Sequence, residues 1–159
     1  MKFNKYKISH YFIFSFAALN YYVAILLRQF MKSNSNSVLL YGHKLVGNLE
    51  IIFKDEIMYA LGNLIQNSVI YSKKLITVKI DFDKIHYIIQ ISDDGTGFPK
   101  DILDRLGEPY VSRNSKGMGL GIFISKNLIE NIGGKILFYN SKQNNAIVEI
   151  KINKDILLT

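Results

Sequence analysis

The sequence contains no cysteine, which excludes disulfides and thiolate metal sites, and its three histidines, His10, His43 and His86, are too scattered for a zinc cluster. A chain without cysteine fits a reducing compartment. Arginine is scarce: only Arg28, Arg105 and Arg113 occur, and the net charge of +7 comes from lysine dispersed along the chain. Nucleic-acid binding needs basic residues gathered into a patch, so this distribution reads as a solvated basic surface and not as a nucleic-acid interface. Formal charge is missing altogether from Ile8 to Leu27. As a helix this run would span about 30 Å, the thickness of a bilayer core. It is open to three readings: a transmembrane helix, a buried or partner-facing helix, or the remnant of a larger protein.

What is present suffices for a folded domain. The 159 residues are 48% hydrophobic, enough for one core with a short appendage. The polar, turn-rich stretch Met31 to Asn36 divides an N-terminal segment (1–36) from a domain (37–159). Val38 to Tyr41 reads as a short edge strand. Phe53 to Tyr71 has helical spacing, with Ile57, Ala60, Leu61, Leu64, Ile65 and Ser68 on one stripe and Asp55 and Glu56 at the positive helix terminus. Ile76 to Phe82 and Tyr87 to Ser92 read as strands joined by an Asp83-Lys84 turn. Pro99 to Leu106 reads as a short helix and Gly107 to Lys116 as a mobile polar loop. Gly121 to Ile132 is helical and stopped by Gly133-Gly134; Lys135 to Tyr139 and Ala146 to Ile152 form a last antiparallel pair. The plan is α+β: a mixed, mostly antiparallel sheet with helices on one face.

Three segments carry chemistry. Asn63 and Asn67 lie one helical turn apart and share a face, where a carboxamide oxygen can serve a partly hydrated magnesium ion. In Asp93-Asp94-Gly95-Thr96-Gly97 a strand ends in a sharp turn; Gly95 and Gly97 leave room for a flat ligand, and Asp93 can accept a hydrogen bond from an exocyclic amine such as that of adenine. Gly117-Met118-Gly119-Leu120-Gly121 opens a helix, where bare N–H groups and the helix dipole favour phosphate. Arg113 and Lys116 precede it and can neutralise outer phosphates. No Gly-Lys-Ser/Thr follows, so this is not a P-loop. The ordered set describes a nucleotide site.

On these motifs, Asp55 to Ile152 resembles the ATP-binding catalytic domain of sensor histidine kinases, the two-layer α/β (Bergerat) fold shared with gyrase, Hsp90 and MutL. The segments that carry the resemblance are Ala60 to Ser72, Asp93 to Gly97 and Gly117 to Ile124, and Gly107 to Arg113 with Gly119 to Ser125 look most like redox-responding global sensor kinases. The resemblance implies ATP and Mg2+ as cofactors, with Asn67 the magnesium ligand, Asn63 beside the phosphates and both in the catalytic machinery. It further implies that Asp93 reads the adenine amine, Gly95 and Gly97 shape its pocket, and Tyr71 lies near the base. Tyr110 is then an aromatic lid residue, and Gly117, Gly119, Leu120 and Gly121 border the phosphates.

The family's phosphoacceptor histidine, followed by an acidic residue in a helical hairpin, has no match: His10 precedes Tyr11, His43 precedes Lys44, and His86 sits between strands. The chain resembles the nucleotide-binding half of a kinase without its acceptor. The expected partner is thus a histidine-containing hairpin in another polypeptide and, through it, a response regulator. Such a domain works in the cytoplasm, anchored to the inner membrane if 8–27 spans it. Lys2, Lys5 and Lys7 outnumber Arg28 and Lys32, however, which favours the opposite orientation. Two other readings stand beside this one: a non-catalytic remnant, and a stand-alone serine kinase of the anti-sigma-factor type. The latter carries a glutamate where Asn63 stands.

Overall fold

The computed structural model of the chain describes residues 11–15, 37–42, 50–112 and 118–158. In chain order these form β1 (Tyr11–Ser15), β2 (Ser37–Gly42), β3 (Glu50–Lys54), α1 (Asp55–Tyr71), β4 (Leu75–Phe82), β5 (His86–Asp93), α2 (Lys100–Leu103), α3 (Leu120–Asn131), β6 (Lys135–Asn140), β7 (Ala146–Asn153) and α4 (Lys154–Leu158). A five-stranded sheet has the order β2-β4-β5-β7-β6; β2 runs parallel to β4 and every other pairing is antiparallel. β1 and β3 form a separate antiparallel pair.

Alternation along the strands decides what faces the helices. Ile76, Val78 and Ile80 of β4, Tyr87, Ile89 and Ile91 of β5 and Val148, Ile150 and Ile152 of β7 are buried and meet Ile57, Leu61, Leu64 and Ile65 of α1 and Ile129 of α3 in one core. Each such side chain contributes about 1.5–3 kcal/mol. The same period puts Asp93, the last residue of β5, on the inward face (7% exposed). A carboxylate therefore stands where the apolar series would continue.

The opposite face of the sheet is polar. Glu149 accepts hydrogen bonds from Gln90 Nε2 (2.6 Å) and the Tyr139 hydroxyl (3.1 Å) and pairs with Lys151 (3.1 Å). Burial pushes the Glu149 carboxyl up, but these partners outweigh it and hold it below its ordinary value.

Several expectations are corrected. Tyr11–Ser15, within the apolar run read as helix, is a strand; aromatic and β-branched residues at Tyr11, Phe12, Ile13 and Phe14 favour the extended backbone. The remainder of 8–27 lies outside the described residues. Among the described residues, no helix is long and apolar enough to cross a membrane. Phe53 belongs to β3, and the helix starts at Asp55. The helix expected over Pro99 to Leu106 covers only Lys100–Leu103, because the chain turns through Gly107 (φ +92°) and Glu108 N–H returns to the Arg105 carbonyl (3.0 Å). Gly107, expected in a polar loop, is buried beneath the Lys126 side chain. The stop after α3 is as expected: Gly133 takes φ +80°, and the Gly134 N–H bonds to the Ile129 carbonyl (2.9 Å).

Two stability predictions arise from this packing. Gly62 lies inside α1, and a Cβ there would meet nothing within 4 Å. Gly62→Ala is expected to raise stability by about 0.5–1 kcal/mol in denaturant unfolding, by lowering the entropy of the unfolded chain; a loss of stability would contradict the packing. Tyr87 is 3% exposed, and its hydroxyl is buried with no hydrogen-bond partner among the described residues. Its removal in Tyr87→Phe is expected to stabilise the chain by about 1 kcal/mol; destabilisation of similar size would mean that the hydroxyl has a partner in solution.

Candidate functional site

The site lies where α1, the end of β5 and the start of α3 converge. Asn63 and Asn67 occupy the flank of α1 between its buried stripe and solvent, and both are half-buried. The Asn67 Nδ2 lies 3.5 Å from the position a Cβ would take on Gly121, so the carboxamide stands against the first turn of α3. Ser125 holds the two helices together: its hydroxyl bonds to the Ala60 carbonyl of α1 (3.2 Å) and the Gly121 carbonyl of α3 (2.9 Å).

Asp93 is the electrostatic centre. It accepts the Gly95 N–H at 3.0 Å. Burial raises its pKa, the Gly95 N–H opposes this, the neighbouring Asp94 carboxylate raises it further, and the Ser68 hydroxyl opposes; the net direction is upward. Asp94 points away and ties the loop after α1 to this turn, accepting N–H groups from Lys73 (2.8 Å) and Lys74 (3.0 Å). Although desolvation raises the Asp94 pKa, donors from Lys74, Leu75 and Lys73 bring it below its ordinary value.

The glycines have reasons inside the fold. A Cβ on Gly95 would overlap the Tyr71 carbonyl at the end of α1. Gly97 has φ +75°, and a Cβ there would run into the Asn144 carbonyl. Gly119 has φ +67°, sits at the N-cap of α3, and leaves only 2.8 Å between a built Cβ and the Val111 carbonyl. Among the described residues no side-chain cap bonds that terminus, and Leu120 and Gly121 supply the first N–H groups of the helix. Tyr71 is half-exposed at the end of α1, and Tyr110 is 76% exposed with φ +64°, a strained backbone for an aromatic residue. Arg113, Lys116 and Gly117 lie outside the described residues. The structure thus brings Asn67 against Gly121 and the Tyr71 carbonyl against Gly95, and it places Tyr110 beside Val111, next to Gly119.

Residues 54–156 match the family described as histidine kinase-, DNA gyrase B-, and HSP90-like ATPase. The chain belongs to that family. Sensor histidine kinase RegB of Cereibacter sphaeroides is 33% identical over an alignment of 102 residues, gaps included, that covers 57% of this chain and 22% of RegB. Sporulation kinase B of Bacillus subtilis is 34% identical over an alignment of 100 residues that covers 61% of this chain and 23% of that kinase. The chain therefore spans less than a quarter of the length of these relatives. Among solved structures, the catalytic domain of histidine kinase ThkA superposes with a TM-score of 0.77 at 20% identity, covering 92% of this chain and 97% of that one. The mycobacterial sensor histidine kinase MprB gives 0.71 at 16% identity, covering 85% and 95%. These structural likenesses show the fold. Residues 54–156 are an ATP-binding catalytic domain of the sensor-histidine-kinase type.

Two hydroxyls of this ATPase domain have partners that the sequence pattern does not name. Ser68 interrupts the apolar stripe of α1, and a polar residue on a core stripe signals a buried partner, here Asp93. Ser125, buried on α3, is betrayed by the same signal.

Proposed function

We propose that this chain binds Mg-ATP between α1, the Asp93–Gly97 turn and the start of α3, and delivers the γ-phosphoryl group to a histidine in a separate helical hairpin. The supporting observation is the position of Asp93: a carboxylate at the inward end of β5 that accepts the Gly95 N–H. It accepts the 6-amino group of adenine, with Gly95 and Gly97 shaping the base pocket and Tyr71 beside it. Asn67 would hold magnesium through its carboxamide oxygen, with Asn63 beside the phosphates. Magnesium, when bound, would offset the charge of the phosphates. The N–H groups from Gly117, Gly119, Leu120 and Gly121 receive phosphate oxygens at the positive end of α3. Tyr110 closes over the nucleotide, with Arg113 and Lys116 adding positive charge to the lid. The reaction is phosphoryl transfer, in which positioning and charge neutralisation supply the catalysis. A response regulator is the onward acceptor, and use of ATP places the domain in the cytoplasm.

His86 is a poor acceptor within its own chain. It begins β5, seven residues before Asp93, about 23 Å along the strand. Its Nδ1 lies 3.2 Å from the Asp83 carboxylate. Incubation with γ-labelled ATP, alone and with a purified histidine hairpin from a sensor kinase, tests the reading. Acid-labile label on the hairpin and none on the chain is expected; strong label on the lone chain would contradict it.

A further inference from the structure

The turn that carries Asp93 is gripped from behind by a segment more than forty residues later. Asn140, the last residue of β6, makes a two-point contact with the backbone of one residue of the turn: its Oδ1 accepts the Phe98 N–H (2.7 Å) and its Nδ2 donates to the Phe98 carbonyl (2.8 Å). Asn144, in the β6–β7 turn, donates from Nδ2 to the Thr96 carbonyl (2.7 Å). Phe98 also meets Phe138 of β6 edge to face, with ring centroids 6.1 Å apart. Gly97, between the two anchored residues, has no side chain because the Asn144 carbonyl occupies that space.

The gripping hairpin is itself tightly closed. The Ser141 N–H bonds to the Asn145 carbonyl, and the Asn144 N–H bonds to the Ser141 carbonyl, both at 2.9 Å. The Asn145 N–H bonds to the Ser141 hydroxyl (3.0 Å). Asn144 takes φ +64°, a conformation asparagine tolerates better than most residues, so the turn closes without a glycine.

We infer that Asn140 and Asn144 are positioning residues for base recognition: they hold the 96–98 segment so that Gly95 and the Asp93 carboxylate keep the geometry needed at the amine edge of the base. This rests on the nucleotide reading above. Neither residue need touch the ligand; each acts through the backbone of the turn. Hydrogen bonds to a turn that would otherwise face water restrict its alternatives, and a loosened turn lowers the share of molecules competent to bind.

The test is calorimetric titration of the full chain with Mg-ATP and Mg-ITP, which differ in the exocyclic group of the base. Asn140→Ala removes both contacts to Phe98. Asn144→Gly keeps the positive φ without strain and removes only the carboxamide, so it folds even if the first variant does not. Wild type should prefer ATP. ATP affinity should fall about tenfold in Asn140→Ala and about threefold in Asn144→Gly, with ITP affinity less affected, so that the ATP/ITP ratio drops. A ratio unchanged in the folded variants, whether both affinities hold or fall together, overturns the positioning role and leaves the nucleotide site standing. No preference for ATP in wild type overturns the base reading, and this inference with it.

Discussion

Replacing Asp93 with asparagine is expected to weaken ATP binding about 10–100-fold while leaving the ligand-free chain at least as stable at pH 7. The first half follows from charge: a carboxylate accepting the adenine amine makes a charge-assisted hydrogen bond of about 1.5–3 kcal/mol. A carboxamide loses that charge and can present its NH2 group to the base. The second half follows from the raised pKa, caused foremost by burial. For an acid shifted upward on folding, the native state binds the proton more tightly than the unfolded state. Its contribution is favourable below the unfolded pKa and is lost as pH rises through the folded pKa. The ionised form carries the burial penalty, and asparagine removes it while its oxygen still accepts the Gly95 N–H. Calorimetry, with denaturant unfolding between pH 4 and 7.5, checks both halves. Unchanged ATP affinity, or a clearly less stable variant at pH 7, would contradict the role given to this carboxylate.

Gly97→Ala is expected to cost about 2–4 kcal/mol of stability, in contrast to the gain from Gly62→Ala. Two effects add. At φ +75° an L side chain is strained by about 1–2 kcal/mol, and the new methyl group meets the Asn144 carbonyl oxygen. The clashing atom is backbone, so Asn144→Gly does not relieve it. For a domain of this size the melting midpoint should fall by about 10–20 °C, and ATP affinity should fall with it, since Gly97 adjoins both anchored carbonyls of the turn. A midpoint within about 3 °C of wild type would mean that the β6–β7 hairpin moves aside at little cost. The glycines of this site are thus demanded by neighbouring backbone as well as by a ligand.

The three motifs were legible because each obeys a local rule. Helical spacing placed Asn63 and Asn67 beside a buried stripe, two-residue alternation carried β5 into Asp93, and glycine at a helix start marked the turn into α3. The strands and helices of residues 55–153 followed from the same periodicities, and the family ATPase fold came with them. What escaped was non-local. The aromatic run at Tyr11 fits helix or strand equally, and its pairing with β3 is settled by a partner forty residues away. The grip of Asn140 and Asn144 on residues 96 and 98 has no sequence period to announce it. The unpaired Tyr87 hydroxyl is equally hidden, since tyrosine on an inward strand position usually finds a partner. The left-handed backbone of Asn144 is hidden in the same way, since glycine is the residue that usually marks such a turn.

The most direct test of the central claim is calorimetric titration of the full chain with ATP, with and without Mg2+, beside an Asn67→Ala variant. The account predicts saturable binding at one site that strengthens with magnesium, and loss of that magnesium enhancement in the variant. No ATP binding by the folded chain, or binding indifferent to both magnesium and Asn67, would contradict it.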